Sequence, residues 1–330
     1  MDQHYTCFAE HPVNWDSIYY TYLSIVSELQ NTEDLIPVVR KIVYELKDPD
    51  VRVHFDNHTM LYLAADPSEP REVIVPPISD YAVENENKEY YTTHGFITGQ
   101  ICHKTEDYTF RFAYIRAGVF RNKQRGLYHQ ELEKLLLPHV DGCIVDLRWN
   151  YYDGSFQKMI DLVCQFVDGE HSILQTAKRE SEDDRFAITS LKPYSVTGEG
   201  TVPTSLPVIV IVNSETAGLA NLCAYILHSL PNVIVIGITP TSGGGAEVSR
   251  VSLTHNWVLQ FPSGVKYFIN GRSCDLPLRP DVTVNPYATI DEYVFVDGKK
   301  ERLFINAPLA TAINLLENLS SQSLSEETEM

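Results

Sequence analysis

Apolar residues along this chain follow two rhythms, and the change from one to the other divides it. Residues 14–30 carry Trp15, Ile18, Tyr22, Val26 and Leu29, with Tyr19 and Leu23 alongside, which is helical spacing. Leu35, Val39, Ile42, Val43 and Leu46 continue that rhythm behind Thr32, a candidate N-cap, and predict a second helix. The two form a helical hairpin. Residues 51–63 alternate as short strands. Residues 64–87, rich in Pro, Glu and Asp, read as a connector with one short strand at 73–75.

From residue 90 the pattern alternates between strand and helix. Strands are predicted at 110–115 and 143–147, and helices at 127–137 and 155–166. The polar insertion at 170–201, with a charge run at 178–185, reads as a surface loop or hairpin cover. The stretch 207–247 then reads PVIVIVN-SETAGLAN-LCAYILHSL-PNVIVIGITPTSGGGAE: two Val/Ile runs flank an apolar helix, and the second opens into Gly243, Gly244 and Gly245. Such short β-branched runs suit strands buried on both faces. Hairpins are predicted at 257–269 across Pro262-Ser263-Gly264 and at 293–304 around Asp297-Gly298, a short strand at 281–284, and a closing helix at 308–319. Strand–helix alternation favours a mostly parallel sheet covered by helices. The expected organisation is an N-terminal helical hairpin with short strands (1–63), a connector (64–89), an α/β core (90–319) and an acidic tail (320–330).

Composition narrows the function classes. A net charge of -18 argues against nucleic acid and against an anionic membrane surface. No apolar run reaches the length of a membrane span, and the first residues lack the basic start and apolar core of a signal peptide. The compartment stays open. The six cysteines form no C-x-x-C pair, and Cys143, Cys164 and Cys223 sit in apolar stretches, so neither a disulfide framework nor a zinc knuckle is expected. No metal and no cofactor is expected. His54, Asp56 and His58 share one face of a strand at i, i+2, i+4; with no further ligand in sight they read as a polar strand edge.

Five segments, in order, resemble the tail-specific, or C-terminal-processing, serine proteases. ELKDPDVRV resembles the family's "L-K-D-G-H-V"; GCIVDLRWNYYDGS resembles "D-L-R-N-N-G-G-G". VNSETAGLAN is similar to "V-N-x-x-S-A-S-A-S-E", GITPTSGGGAE to "G-x-x-T-x-G", and LRPDVTVNP to "G-I-x-P-D-I-x-V". The resemblance runs from about residue 12 to 319 and lacks room for the family's PDZ module, which places the chain nearer the PDZ-less bacterial members. It implies a ClpP/crotonase-like spiral of strand–strand–helix units. It also implies peptides or unfolded protein C-termini as partners, self-association as an option, and a family that often works outside the cytoplasm.

At the residues that carry the chemistry the chain departs from the family. Gly218 stands at the nucleophile position, and glycine has nothing with which to attack a carbonyl. The lysine some members use as base falls at Gly244, and the histidine of tricorn-like members falls at Asp50. Tyr151 and Tyr152 replace the glycines that leave room for substrate. The resemblance therefore implies a serine-peptidase homologue impaired in hydrolysis that keeps a peptide groove lined by Tyr151, Tyr152, Ala217, Gly218, Gly243, Gly244 and Gly245. Two alternatives stand beside it: an active serine peptidase rearranged around Ser214 or Thr216, with Ser242 or His255 assisting, and a purely structural or assembly protein. Against the rearranged-peptidase reading, Ser and Thr at a strand–turn–helix junction are commonly caps.

Overall fold

In a computed structural model of the chain, residues 4–31, 34–55, 59–61, 96–104, 108–118, 120, 127–136, 139–151, 154–181, 183–253, 257–285, 291–296, 299–304 and 307–329 are described. The N-terminal module holds helices α1 (Trp15–Glu28) and α2 (Leu35–Leu46) and strands β1 (Arg52–Phe55) and β2 (Thr59–Leu61). There follow β3 (Phe96–Lys104), β4 (Thr109–Ala117), α3 (Leu127–Leu136), β5 (Gly142–Asp146), α4 (Phe156–Val163), β6 (Asp168–Ala177), β7 (Lys192–Glu199), β8 (Val208–Val212), α5 (Leu219–His228) and β9 (Val233–Gly237). The last part comprises β10 (Val248–Ser252), β11 (Val258–Pro262), β12 (Lys266–Ile269), β13 (Arg272–Ser273), β14 (Val282–Thr283), β15 (Asp291–Val296), β16 (Lys299–Phe304) and α6 (Ala307–Glu329).

The Val/Ile runs become the middle of a six-stranded sheet of order β14-β9-β8-β5-β4-β3. All its pairings are parallel except β3 with β4. Alternation along each strand feeds two cores. Ala113, Ile115, Cys143, Val145, Val208, Val210 and Val212 join the side covered by α3, α4 and α5. Phe112, Tyr114, Ile144, Ile209, Ile211 and Ile236 join the side covered by α6 through Leu309, Ile313 and Leu316. With both faces covered, β5, β8 and β9 carry no polar residue before their carboxyl ends, which is why they read as continuous apolar runs.

A separate four-stranded sheet, β10-β11-β1-β2, underlies the N-terminal module. Its core joins Tyr5, Cys7 and Phe8 to Val43 and Leu46 of α2, Val51, Val53, Ala246 and Phe261. Asn14 caps α1 by accepting from the Ser17 N–H at 3.0 Å. The helix buries no residue, and Tyr19, Tyr20 and Leu23 are exposed. The N-cap of α2 is Asp34, not Thr32, which lies outside the described residues. That helix ends at Lys47 in the left-handed region (φ 51°), and Pro49 prevents its continuation.

Several expectations need correction. Strands do form on either side of Ser263-Gly264, but they make no hairpin: β11 pairs with β1 and β10, while β12 pairs with β6 and β13. Glu247 is the reason. Its carbonyl accepts from the N–H groups of Ser263 and Gly264, and its own N–H donates to Val265 O, so the turn pairs with Glu247 and not with itself. Strands β3 and β10 were not foreseen. The polar insertion is the β6–β7 hairpin, whose outer part alternates between exposed and half-buried positions. The second predicted hairpin is present as β15–β16, paired from Asp291↔Phe304 to Val296↔Lys299. Helix α6 runs on to Glu329, past the predicted end at 319. The predicted connector and its short strand lie outside the described residues.

Ile209 is fully buried at the centre of the sheet. Ile209→Ala is expected to cost about 2–5 kcal/mol, because the surroundings relax only partly into the space left. Tyr20→Ala on exposed α1 should stay within about 0.5 kcal/mol. Urea denaturation midpoints of the two variants check both.

Candidate functional site

The carboxyl ends of β5, β8 and β9 release three loops at one edge of the sheet, where open α/β sheets commonly hold their ligands. The first loop, after β5, begins with a buried ion pair. Asp146 Oδ2 lies 2.6 Å from Arg148 Nη2 and accepts the Tyr114 hydroxyl at 2.9 Å. Burial would raise the Asp146 carboxyl, but the charge and hydrogen bonds of Arg148 outweigh burial and hold it below the usual carboxylate range. Trp149 takes a positive φ of 57°, with the Arg148 and Arg116 guanidiniums 4.7 and 5.4 Å from its ring. Its N–H donates to Asn213 Oδ1, and Asn150 O accepts from the Ala217 N–H at 3.0 Å.

The second loop turns from β8 into α5. Thr216 is fully buried and its hydroxyl is committed: it donates to Leu147 O at 3.0 Å and accepts from the Asn213 N–H at 3.1 Å. Gly218 follows at φ 60° and ψ -127° as N-cap of α5. Strained strand-to-helix turns of this kind are where hydrolases display a nucleophile. The third loop, after β9, pairs back on the second. Ser242 N–H donates to Thr216 O, and Gly218 N–H to Gly243 O at 2.9 Å. Asn221 of α5 is buried and fixes the glycines from beneath. Its amide donates to Gly244 O at 2.8 Å and to Cys274 O at 2.7 Å, and its oxygen accepts the Thr241 hydroxyl.

Into this corner projects Asp50, carried on the turn between α2 and β1. Its Oδ2 accepts the Gly245 N–H at 2.6 Å. A Cβ added at Gly218 would stand 3.0 Å from Asp50 Oδ1, and one at Gly244 would stand 2.8 Å from Oδ2. Gly218, Gly244 and Asp50, three positions read from distant parts of the sequence, therefore meet at one point. All three are buried. Arg52 ties the turn down, donating from Nε to Pro49 O and from Nη2 to Tyr151 O at 2.9 Å.

Behind Asp50 lies a buried charge network. Tyr5 OH donates to Asp48 Oδ2 at 2.6 Å, His11 Nε2 lies 3.2 Å from Asp275 Oδ2, and Lys266 Nζ lies 2.6 Å from Glu10. Burial, with the nearby Asp48 charge, pushes Asp50 up to about 8 against the pull of Arg52. Burial and the charge of Asp275 likewise raise Asp48. Burial alone would lower His11, but its hydrogen bond to Asp275 and the Asp48 charge win and raise it, while the same pairing holds Asp275 low. The corner thus sets a raised Asp50 carboxyl against Gly218, which has no side chain to serve as a nucleophile.

The sequence pattern of peptidase family S41 matches residues 111–284, more than half of the chain and including all three loops. The chain belongs to peptidase family S41. It is 26% identical over 134 residues to the chloroplastic carboxyl-terminal-processing peptidase 1 of Arabidopsis thaliana, covering 41% of this chain and 25% of that protein. The chain thus aligns with only a quarter of that relative's length. A solved structure of a proposed peptidase from Parabacteroides merdae superposes with a TM-score of 0.69 at 21% identity, over 96% of this chain and 93% of that one. At that identity the likeness is one of fold. It extends over almost the whole chain, whereas the family match begins at residue 111. Among the described residues no helix is long and apolar enough to cross a membrane.

Within this S41 member the expected site residues separate into groups. Gly218, Gly244 and Gly245 meet Asp50, Ala217 and Gly243 are joined to each other by a parallel bridge, and all five are buried. Tyr151 reaches the site through its carbonyl; Tyr152 and His255 lie outside the described residues. Ser214 is half-buried and its carbonyl accepts the Ser242 hydroxyl. His54 sits on β1, which lies inside its sheet between β11 and β2, so the polar-edge reading does not hold; Asp56 and His58 are outside the described residues. Asn221, Asp48, Asp275 and His11 were missed. Only Asn221 left a sequence signal, as a polar residue inside an otherwise apolar helix.

Asp146→Asn is expected to cost about 3–5 kcal/mol at neutral pH, since it leaves the buried Arg148 uncompensated. The folded carboxyl titrates below its unfolded value, so its contribution is complete above pH ~4 and fades as pH falls through the folded value. Stability measured against pH should lose that acid limb in the Asn variant. At the corner, Gly218→Ala should cost about 1–3 kcal/mol from its positive φ and the Asp50 contact. The cost should shrink in an Asp50→Ala background, which a double-mutant cycle in urea reads directly.

Proposed function

We propose that this chain is a non-hydrolytic member of peptidase family S41, in which the corner that carries chemistry in a peptidase has become a packed joint. One observation carries the reading: Gly218, at the strand-to-helix turn, abuts the Asp50 carboxyl, which is raised, buried and bonded to Gly245 N–H. No side-chain nucleophile stands there. The rearranged-peptidase alternative loses Thr216, whose hydroxyl is buried and committed on both sides. The stepwise order of parallel strands with intervening helices supports a ClpP/crotonase-like spiral, with residues 1–63 as an N-terminal module on a core of 90–319.

Peptide recognition by strand addition needs main-chain groups and no catalytic side chain. It fits the family, and a peptide or an unfolded C-terminus is the partner this reading assigns. A groove reaching Ala217 and the three glycines would require Asp50 and the Pro49 turn to move aside. Peptide binding therefore ranks below loss of hydrolysis.

A fluorophosphonate probe and a quenched-peptide library test the reading on the wild-type chain. No labelling and no cleavage are expected. Labelling that disappears in Ser214→Ala or Thr216→Ala, or cleavage by the wild type, would overturn it. Gly218→Ser combined with Asp50→His should bring measurable labelling, because it supplies a hydroxyl and an imidazole able to act as its base.

A further inference from the structure

Three segments far apart in sequence bring Cys7, Asp48 and Asp275 together. Each is buried, and one donor atom from each lies within 4.8 Å of the other two. Cys7 comes from the N-terminal segment, Asp48 from the turn after α2, and Asp275 from the loop after β13. The polar atoms around them are unevenly satisfied. Asp275 Oδ2 faces His11 Nε2 at 3.2 Å, whereas Asp275 Oδ1 has no hydrogen-bond partner although the residue is only 3% exposed. The Cys7 thiol acts on the Asp275 carboxyl as a hydrogen-bond donor and helps hold it below the usual range, while Oδ1 stays without a partner of good geometry. Asp48 takes the Tyr5 hydroxyl on Oδ2 and the Asp50 N–H on Oδ1, which leaves lone pairs on both oxygens. A buried carboxylate oxygen without a partner is costly, and something must offset that cost.

We propose that Cys7, Asp48 and Asp275 form a binding site for a divalent metal ion of borderline softness, zinc above all. One sulfur and two carboxylates suit Zn²⁺, whereas Mg²⁺ and Ca²⁺ favour oxygen alone. Donors about 2.0–2.3 Å from one zinc stand about 3.3–3.8 Å apart in a tetrahedron, so closing the site takes shifts of about an ångström. Tyr5 and His11 are positioning residues: each binds a ligand carboxylate from outside, the arrangement that orients metal ligands elsewhere. The thiol of Cys7 gives up its proton to solvent when the metal binds. Lys266, paired with Glu10 at 2.6 Å, places a positive charge near Cys7 and Asp275 that favours their deprotonated forms. The site makes no use of Gly218 and stands whether or not the chain hydrolyses peptides.

The test is metal binding by the full chain after chelator treatment. Zn²⁺ followed by calorimetry should bind with one equivalent and raise the thermal midpoint. Co²⁺ in the same site should give a near-ultraviolet sulfur-to-metal charge-transfer band that Cys7→Ser abolishes. Tyr5→Phe and His11→Gln should weaken zinc by about 10–100-fold without removing the band. If Cys7→Ser does not fold, loss of the cobalt band in Asp48→Asn or Asp275→Asn decides in its place. A folded wild-type chain that binds no stoichiometric zinc overturns the proposal. So does a cobalt complex without the sulfur band, or one that keeps it in Cys7→Ser, since the metal then sits elsewhere.

Discussion

The site is organised by one close approach: the Asp50 carboxyl lies where side chains at 218 and 244 would have to stand. Glycine at both positions is what allows it. The positive φ of Gly218 and of Gly244 would penalise most other residues on backbone grounds alone, and the carboxyl adds a steric limit. The constraint is mutual. The Gly245 N–H fixes Asp50, Arg52 fixes the turn that carries it, and the glycine stretch is held from below by Asn221. Moving any one of these shifts the others, because the interior leaves little free volume.

The same contact joins the N-terminal module to the central sheet. Asp50 comes from the turn leading into β1, while Gly218 belongs to the turn after β8 and Gly244 and Gly245 to the loop after β9. Around it the N-terminal segment inserts Tyr5, Cys7 and His11, and Lys266 meets Glu10. Buried charges contribute little net stability, because desolvation cancels much of the Coulomb gain. Their geometry is demanding, however, and a network spanning residues 5 to 275 can fix how the module sits on the core. Apolar packing of Val43, Leu46, Val53 and Phe261 supplies the driving force, and the charges supply the register.

Much of the central sheet was legible because its signal is local. The runs at 208–212 and 233–237 are β-branched, short and bounded by turn residues, and they form the strands they predict. The corner at 213–218 was legible for the same reason. The failures were failures of pairing. Nothing local in 257–269 says that its turn pairs with Glu247 and sends β11 and β12 to different sheets. Strand β10 is almost wholly exposed and lacks the apolar alternation that marks a strand. His11 and Asp275 were invisible because they meet across 264 residues, and Asp48 because its partner Tyr5 lies 43 residues away.

The separation between sheet and corner also means that residues at the corner can differ without changing the shape of the sheet. Ile144, Ile209, Ile211 and Ile236 bury their side chains against α6, on a face that touches none of the atoms at the corner. A buried side chain of that size contributes about 1.5–3 kcal/mol by leaving water. A handful of them outweighs what one side chain at a turn can add or remove. A serine at 218 would bring strain and a polar hydroxyl to be satisfied beside Asp50, whereas glycine relieves both. Glycine at 218 leaves the Asp50 carboxyl room to settle against it. The glycine and the carboxyl are then two parts of one packing solution, which is why they are found in contact.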